Sequence, residues 1–216
     1  ANGLARLKGN TWKVYDTTNS GIPANKCSSI KKDKYNNLWM IIPNKGVVKF
    51  DGDSNWTFYN DENTGLPMLH STLSIGIDSS NTKWFGGVGL IRFNDTSWFR
   101  YYTGNSGIPE NLVLTIFTKG NIIWVGTHTE GVGRFDGQNW TTYNVYNSGL
   151  PSNYIRMINT DLYNNYWFAT NFGGVAKFNY EQNIWTVYNI ENSGLPNNNT
   201  NAIYIDNNNV KWIGCI

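Results

Sequence analysis

Groups able to do chemistry are sparse in this sequence, and their spacing excludes more than it allows. The two histidines, His70 and His128, and the two cysteines, Cys27 and Cys215, are too few and too scattered for a zinc site of ordinary spacing. No nucleophile elbow, phosphate loop or dinucleotide fingerprint occurs, and Gly86-Gly87-Val88-Gly89 reads as a shortened hairpin. Asp51-Gly52-Asp53-Ser54-Asn55, followed by Glu62, copies four positions of a calcium loop, but Trp56 stands where that loop needs glycine. A hydrolase could work with only two carboxylates some 5–9 Å apart. Most aspartates are accounted for by a repeat described below, which leaves Glu62, Glu110, Glu130, Glu181 and Glu191 in loops. Neither an enzyme nor a metal or cofactor is expected, and both cysteines are expected as free thiols.

The bulk composition narrows the partners. Of 216 residues, 17 are Lys or Arg and 15 Asp or Glu, so a net charge of +2 supplies no field to draw in nucleic acid. No apolar run is long enough for a spanning helix, and membrane insertion is not expected. Residues 1–8 lack the charged and apolar regions of a signal peptide, and the missing initial Met reads as a mature or trimmed chain. Aromatics make up 15% of the chain, far too many for a disordered one.

The aromatics are also periodic. Trp12, Trp56, Trp98, Trp140 and Trp185 recur every 42 to 45 residues, each followed three positions later by a tyrosine. A second series, Trp39, Trp84, Trp124, Trp167 and Trp212, recurs every 40 to 45, and five prolines keep the same beat in Asn-Ser/Thr-Gly-Ile/Leu-Pro segments. Each repeat holds four short segments rich in aromatic and branched residues, separated by Asn, Gly, Asp and Ser. These are strands joined by tight turns, and four strands every 40 to 45 residues mark a propeller blade. The first strand ends in Asp33, Asp78, Asp161 or Asp206, with Lys119 as the exception. Arg6, Lys49, Arg92, Arg134 and Lys177 share a repeat position; local hydrogen bonding within each blade is the expected role of both sets, rather than a ring of charge.

The expected fold is all-β: a five-bladed propeller of four-stranded antiparallel blades occupying residues 1–216 as a single domain. The repeat is out of phase with the chain ends, so the last two segments supply the first two strands of a blade and residues near Gly3 its last two. Pairing them would close the ring and bury both edges. All ten tryptophans are expected in the core between blades, each worth roughly 4–6 kcal/mol gross at about 25 cal/mol per Å².

Asp33-Lys34-Tyr35-Asn36-Asn37-Leu38-Trp39, Trp124-Val125-Gly126-Thr127 and Gly131-Val132-Gly133-Arg134-Phe135-Asp136 carry a further reading. This repeat resembles the two-component regulator propeller family, whose units read roughly D-x-x-x-N-L-W-x-G-T and then G-L-x-R-F. The resemblance covers essentially the whole chain. It implies a periplasmic or extracellular sensor module that responds to glycan fragments. The chain departs from the family in having five repeats rather than seven, and in containing no membrane helix, kinase or regulator segment.

Function is sought where repeats differ. The blade-joining loops and the loops between second and third strands share one end of the blades and agree in almost nothing. They carry Lys26, His70, His128, Tyr154, Arg156 and Phe172, the candidate ligand-binding residues, with no catalytic or metal residue among them. Tyr154 and Phe172 suit stacking on a sugar face, while Arg156, Lys26 and His128 suit hydroxyls or a carboxylate. The first expectation is thus a monomeric, non-enzymatic recognition module for a glycan fragment or other small extracytoplasmic ligand. The alternatives are a multivalent lectin of the tachylectin type, with sites at the Asn-Ser/Thr-Gly segments around Asn19, Asn63, Asn105, Asn147 and Asn192, and then a polysaccharide-active enzyme or a protein-contact scaffold.

Overall fold

A computed structural model describes residues 3–67 and 69–216, with the side chain of His70 outside the described residues. The chain divides into two compact units, residues 1–100 and 101–216. Strands account for nearly all regular structure, as the alternating aromatic and polar pattern requires.

The first unit opens with a hairpin of β1 (Leu4–Lys8) and β2 (Thr11–Tyr15). An antiparallel meander of β3 (Ser28–Lys32), β4 (Leu38–Ile42), β5 (Gly46–Phe50) and β6 (Trp56–Tyr59) follows. A second meander consists of β7 (Ser74–Ile77), β8 (Lys83–Gly87), β9 (Gly89–Phe93) and β10 (Trp98–Tyr101), the last at the unit boundary. The β8–β9 connection is the shortened hairpin expected from Gly86 to Gly89, with Gly87 paired directly to Gly89. One helical turn, α1 (Asp61–Thr64), interrupts the strands. Asn60 and Asn63 cap it reciprocally, and Gly65 ends it at φ 69°.

The second unit has a meander of β11 (Val113–Lys119), β12 (Ile122–Thr127), β13 (Val132–Phe135) and β14 (Trp140–Tyr143). The next comprises β15 (Ile155–Thr160), β16 (Tyr166–Thr170), β17 (Gly174–Asn179) and β18 (Ile184–Tyr188), and the hairpin β19 (Thr200–Ile205) and β20 (Lys211–Cys215) completes the unit. All four complete sheets run in sequence order. Each is the four-stranded antiparallel blade expected from the repeat.

The W-x-x-Y signature now has a physical reading. Odd spacing along a strand puts Trp and Tyr on opposite faces. The Trp stacks on the third-strand Phe of its own blade, at 3.9 Å for Phe50–Trp56, 4.0 Å for Phe93–Trp98 and 4.1 Å for Phe178–Trp185. The Tyr stacks instead on the second-strand Trp, at 5.7 Å for Trp39–Tyr59 and Trp124–Tyr143 and 5.6 Å for Trp167–Tyr188. The turn glycines serve the same packing: a Cβ on Gly149 would lie 2.3 Å from Trp185 Cβ, so that approach demands glycine.

One expectation needs correcting. Eight of the ten tryptophans are buried or half-buried, but Trp12 and Trp212 are 66% and 63% exposed. Each sits on a two-stranded sheet, which lacks the sheet neighbours that cover its counterparts. Cys27 and Cys215 are free and half-buried, and burial pushes the Cys27 thiol up from its ordinary value.

Candidate functional site

The repeated aspartates must be placed first, because they look like chemistry and are architecture. The Asp33 carboxylate accepts from the backbone N–H groups of Tyr35 and Asn37 (both 2.9 Å), the Asn37 amide (2.8 Å) and Trp39 Nε1 (3.0 Å). Asp161 repeats this with Tyr163, Asn165 and Trp167. Asp78 and Asp206 likewise accept from Trp84 and Trp212 Nε1. Burial pushes the Asp33 and Asp161 carboxyls up, but the hydrogen bonds from Asn and Trp side chains and backbone outweigh it and leave both below the ordinary value. These carboxylates are acceptors with every donor assigned, which is the local role expected of them.

The calcium-like segment resolves in the same way. Asp51 accepts from the backbone N–H groups of Asp53, Ser54 and Asn55 and from the Asn55 amide, closing the β5–β6 turn. Asp136 closes the corresponding β13–β14 turn. Among the described residues no three His, Cys, Asp or Glu side chains gather as a metal site. The segments weighed as lectin sites are also committed to their own turns. Asn19, Asn63, Asn105, Asn147 and Asn192 each accept through the side chain from a backbone N–H three residues earlier.

The loop ends of β11–β18 differ in kind. The connection from β14 to β15 delivers Tyr154, the β12–β13 loop delivers His128, and the start of β15 delivers Arg156. The Arg156 guanidinium lies over the Tyr154 ring at 4.2 Å, and His128 meets that tyrosine edge-on at 4.5 Å. Sequence positions 128, 154 and 156 therefore converge on one patch. Its frame is a carboxylate, Glu110, which accepts from the backbone N–H groups of His128 (3.0 Å) and Thr129 (2.7 Å) and fixes the loop that presents the imidazole. Glu110 is the residue the candidate set missed. It was visible only as a polar member of a variable loop, with no local signal that it would cap a loop 18 residues on.

Phe172 joins the same end. It occupies the β16–β17 turn at φ 68°, is 73% exposed, and its backbone N–H donates to Asn199 Oδ1. The preceding N–H, of Asn171, donates to the Tyr154 carbonyl at 2.9 Å, tying the two loops together. Lys26 lies in the other unit, exposed in the loop before β3. The His70 side chain is outside the described residues; its backbone falls in a short 3-10 turn, Leu69–Ser71. Tyr154, His128, Arg156 and Phe172 offer two aromatic faces, one cation and one imidazole, a set able to stack on a ring and donate to its oxygens.

No family model matches the chain. A histidine kinase of Formosa agariphila is 32% identical over 96 residues, which is 43% of this chain and 7% of the kinase. Among solved structures, the extracellular domain of a hybrid two-component system of B. thetaiotaomicron superposes with a TM-score of 0.77 at 25% identity, over 95% of this chain and 28% of its own. PorZ, a surface component of the type-IX secretion system of Porphyromonas gingivalis, gives a TM-score of 0.78 at 17% identity, over 99% of this chain and 35% of its own, and so speaks for the fold alone. The chain thus spans about a third or less of the length of these three proteins. No helix among the described residues is long and apolar enough to cross a membrane. In sequence and in structure, this chain resembles the extracellular domains of two-component systems.

Proposed function

We propose that the chain is a non-catalytic recognition module of an extracytoplasmic sensor, binding a glycan fragment or similar small ligand at the loop ends of β11–β18. The observation that carries this is the convergence of Arg156 and His128 on Tyr154, on loops whose residues change from blade to blade while the framework repeats. A stacked guanidinium is held in place with its donors still available, so less entropy is lost when it binds an oxygen. Phe172 supplies the second exposed ring. Lys26 and His70 are proposed on their positions in the repeat alone. The likeness to extracellular two-component domains supports a sensing role and a periplasmic or extracellular location.

A glycan array followed by calorimetry tests the site. Tyr154→Ala and Arg156→Ala should keep the melting temperature and weaken binding of any hit by at least about 1 kcal/mol, roughly fivefold. Unchanged affinity in both variants overturns this site, and an array without hits favours a protein-contact scaffold.

The same reading includes five blades closed into a ring by the two end hairpins. Its support is the phase of the repeat together with a matched pair of features. Trp12 on the first hairpin and Trp212 on the last are both largely exposed, unlike their counterparts on the four-stranded sheets. Removing residues 1–15 should convert the protein to an aggregating form in size-exclusion chromatography; a stable monomer would show that no closure is needed.

A further inference from the structure

The blades have another end, opposite the loops just described, where the aspartate networks sit. Two of these networks follow one pattern. Trp39 donates to Asp33, and Lys83 lies over the Trp39 ring at 5.2 Å with its Nζ 4.0 Å from that carboxylate. Trp167 donates to Asp161, and Lys211 lies over the Trp167 ring at 5.4 Å, 3.8 Å from the carboxylate. In each, an acid accepts the indole N–H with a cation nearby, while the lysine itself hydrogen-bonds Asp95 in the first case and the Asn209 carbonyl in the second.

Around Trp124 that unit is rewritten at every position. Lys119 takes the place of the aspartate, and Tyr166 takes the place of the lysine, 4.3 Å from the Trp124 ring. The loop itself is gone. Residues 161–165 separate the paired Thr160 and Tyr166, but only Gly120 and Asn121 separate Lys119 from Ile122, with Gly120 at φ 59° as such a tight turn requires. Among the described residues no carboxylate accepts from the fully buried Trp124 Nε1, and the polar group beside it is the Tyr166 hydroxyl. Among the described residues neither Lys119 nor Arg134 is in an ion pair. Arg134 lies over the Tyr180 ring at 4.8 Å, and Lys119 donates to the Asn164 side chain. A cation stands where the other blades hold a carboxylate, beside the cation that every repeat carries at the Arg134 position.

The deleted loop leaves a notch of about 160 Å³ beside Lys119, lined also by Tyr163, Asn164, Tyr166, Tyr180 and Glu181. Tyr163 and Tyr180 are exposed on its walls, and Trp124 is sealed behind Tyr166. Burial pushes the Tyr166 hydroxyl above its ordinary value, so it stays a neutral donor.

We propose that this notch is a second ligand site, and that it takes a small ring-bearing carboxylate of the sugar-acid class. The ligand supplies the acid that this blade lacks. Lys119 binds the carboxylate, Arg134 adds a second positive charge across Tyr180, and the ring lies against Tyr163 and Tyr180. Glu181 at the rim opposes the anion and sets a limit on affinity.

The probe is D-glucuronate, with D-glucose as the neutral control, titrated into the full chain labelled with 15N-tryptophan. The Trp124 indole resonance, identified by its loss in Trp124→Phe, should move saturably with glucuronate and not with glucose. Lys119→Ala should weaken the interaction at least about fivefold. Glu181→Gln should tighten it, which keeps a readout should the lysine variant fail to fold. Arg156→Ala should leave the titration unchanged, separating this site from the one at the loop ends. No saturable movement of the Trp124 resonance, an equal response to glucose, or unchanged affinity in Lys119→Ala would each overturn the proposal.

Discussion

Trp167 and Trp124 occupy the same repeat position in neighbouring blades, share the same stacking on a fourth-strand tyrosine, and live in opposite electrostatic surroundings. Trp167 belongs to a closed set of donor, carboxylate and cation. Trp124 has the Arg134 guanidinium over its ring at 6.0 Å and Tyr166 at 4.3 Å, with no carboxylate accepting from its indole N–H among the described residues. The backbone is barely affected, since β11–β12 and β15–β16 keep the same register around the tryptophan, opposite Phe117 and Asn159 respectively. A blade is thus held mainly by its apolar faces, and the polar set at its end is an independent layer that can be exchanged. Where it is closed it stabilises; where it is open it is available to something else.

That comparison breaks if the two layers weigh equally in stability. Asp161→Ala removes the acceptor of several buried donors and the charge facing Lys211, which keeps its bond to the Asn209 carbonyl, so urea unfolding should show a loss of about 2–4 kcal/mol. Lys119→Ala removes a half-exposed cation with a single hydrogen bond, and its loss should be at most about 1 kcal/mol. Equal losses would mean that the Lys119 arrangement is itself structural.

Acid sharpens the contrast. The folded Asp161 carboxyl lies below its unfolded value of about 3.9. Its contribution to stability is therefore complete above that value and fades as pH falls through the folded one. The urea midpoint of the wild type should drop between pH 5 and pH 3, and Asp161→Asn should show a flatter acid limb. Asp33 obeys the same sign and preserves part of the slope in that variant. An identical acid limb in both proteins would detach the network from stability.

The smallest expected effect lies at the loop end. Glu110→Gln keeps the size of the side chain and removes the charge that receives two backbone donors, a change of about 1 kcal/mol confined to one loop. Amide exchange at His128 and Thr129 should quicken while the β12 and β13 amides stay protected. Unaltered exchange would mean that the imidazole is positioned by Tyr154 alone.

Legibility in the sequence followed the range of the interactions. The five-fold beat of tryptophan, tyrosine and proline carried the strand count and the turn positions, because alternation and tight-turn chemistry are local and each repeat restates them. The odd member at Lys119 was equally plain as a break in that beat. Its consequence was not, since the surroundings of the Trp124 indole depend on Tyr166, which only the stacking of separate blades brings to 4.3 Å. The exposure of Trp12 and Trp212 was hidden for the same reason: burial is decided by the strand that covers a residue, which the residue's own repeat does not specify.

Sequence by itself therefore determined an all-β chain of repeated four-stranded units, and singled out the loops where repeats diverge. Tertiary structure alone decided that Arg156 and His128 meet on Tyr154, that Glu110 holds the loop between them, and that the acid missing from one blade leaves a notch ringed by donors. Local propensity acts over a few residues and can be read along the chain. Contacts between side chains tens of residues apart depend on sheet register and on how blades stack, and neither is written at the positions that make the contact.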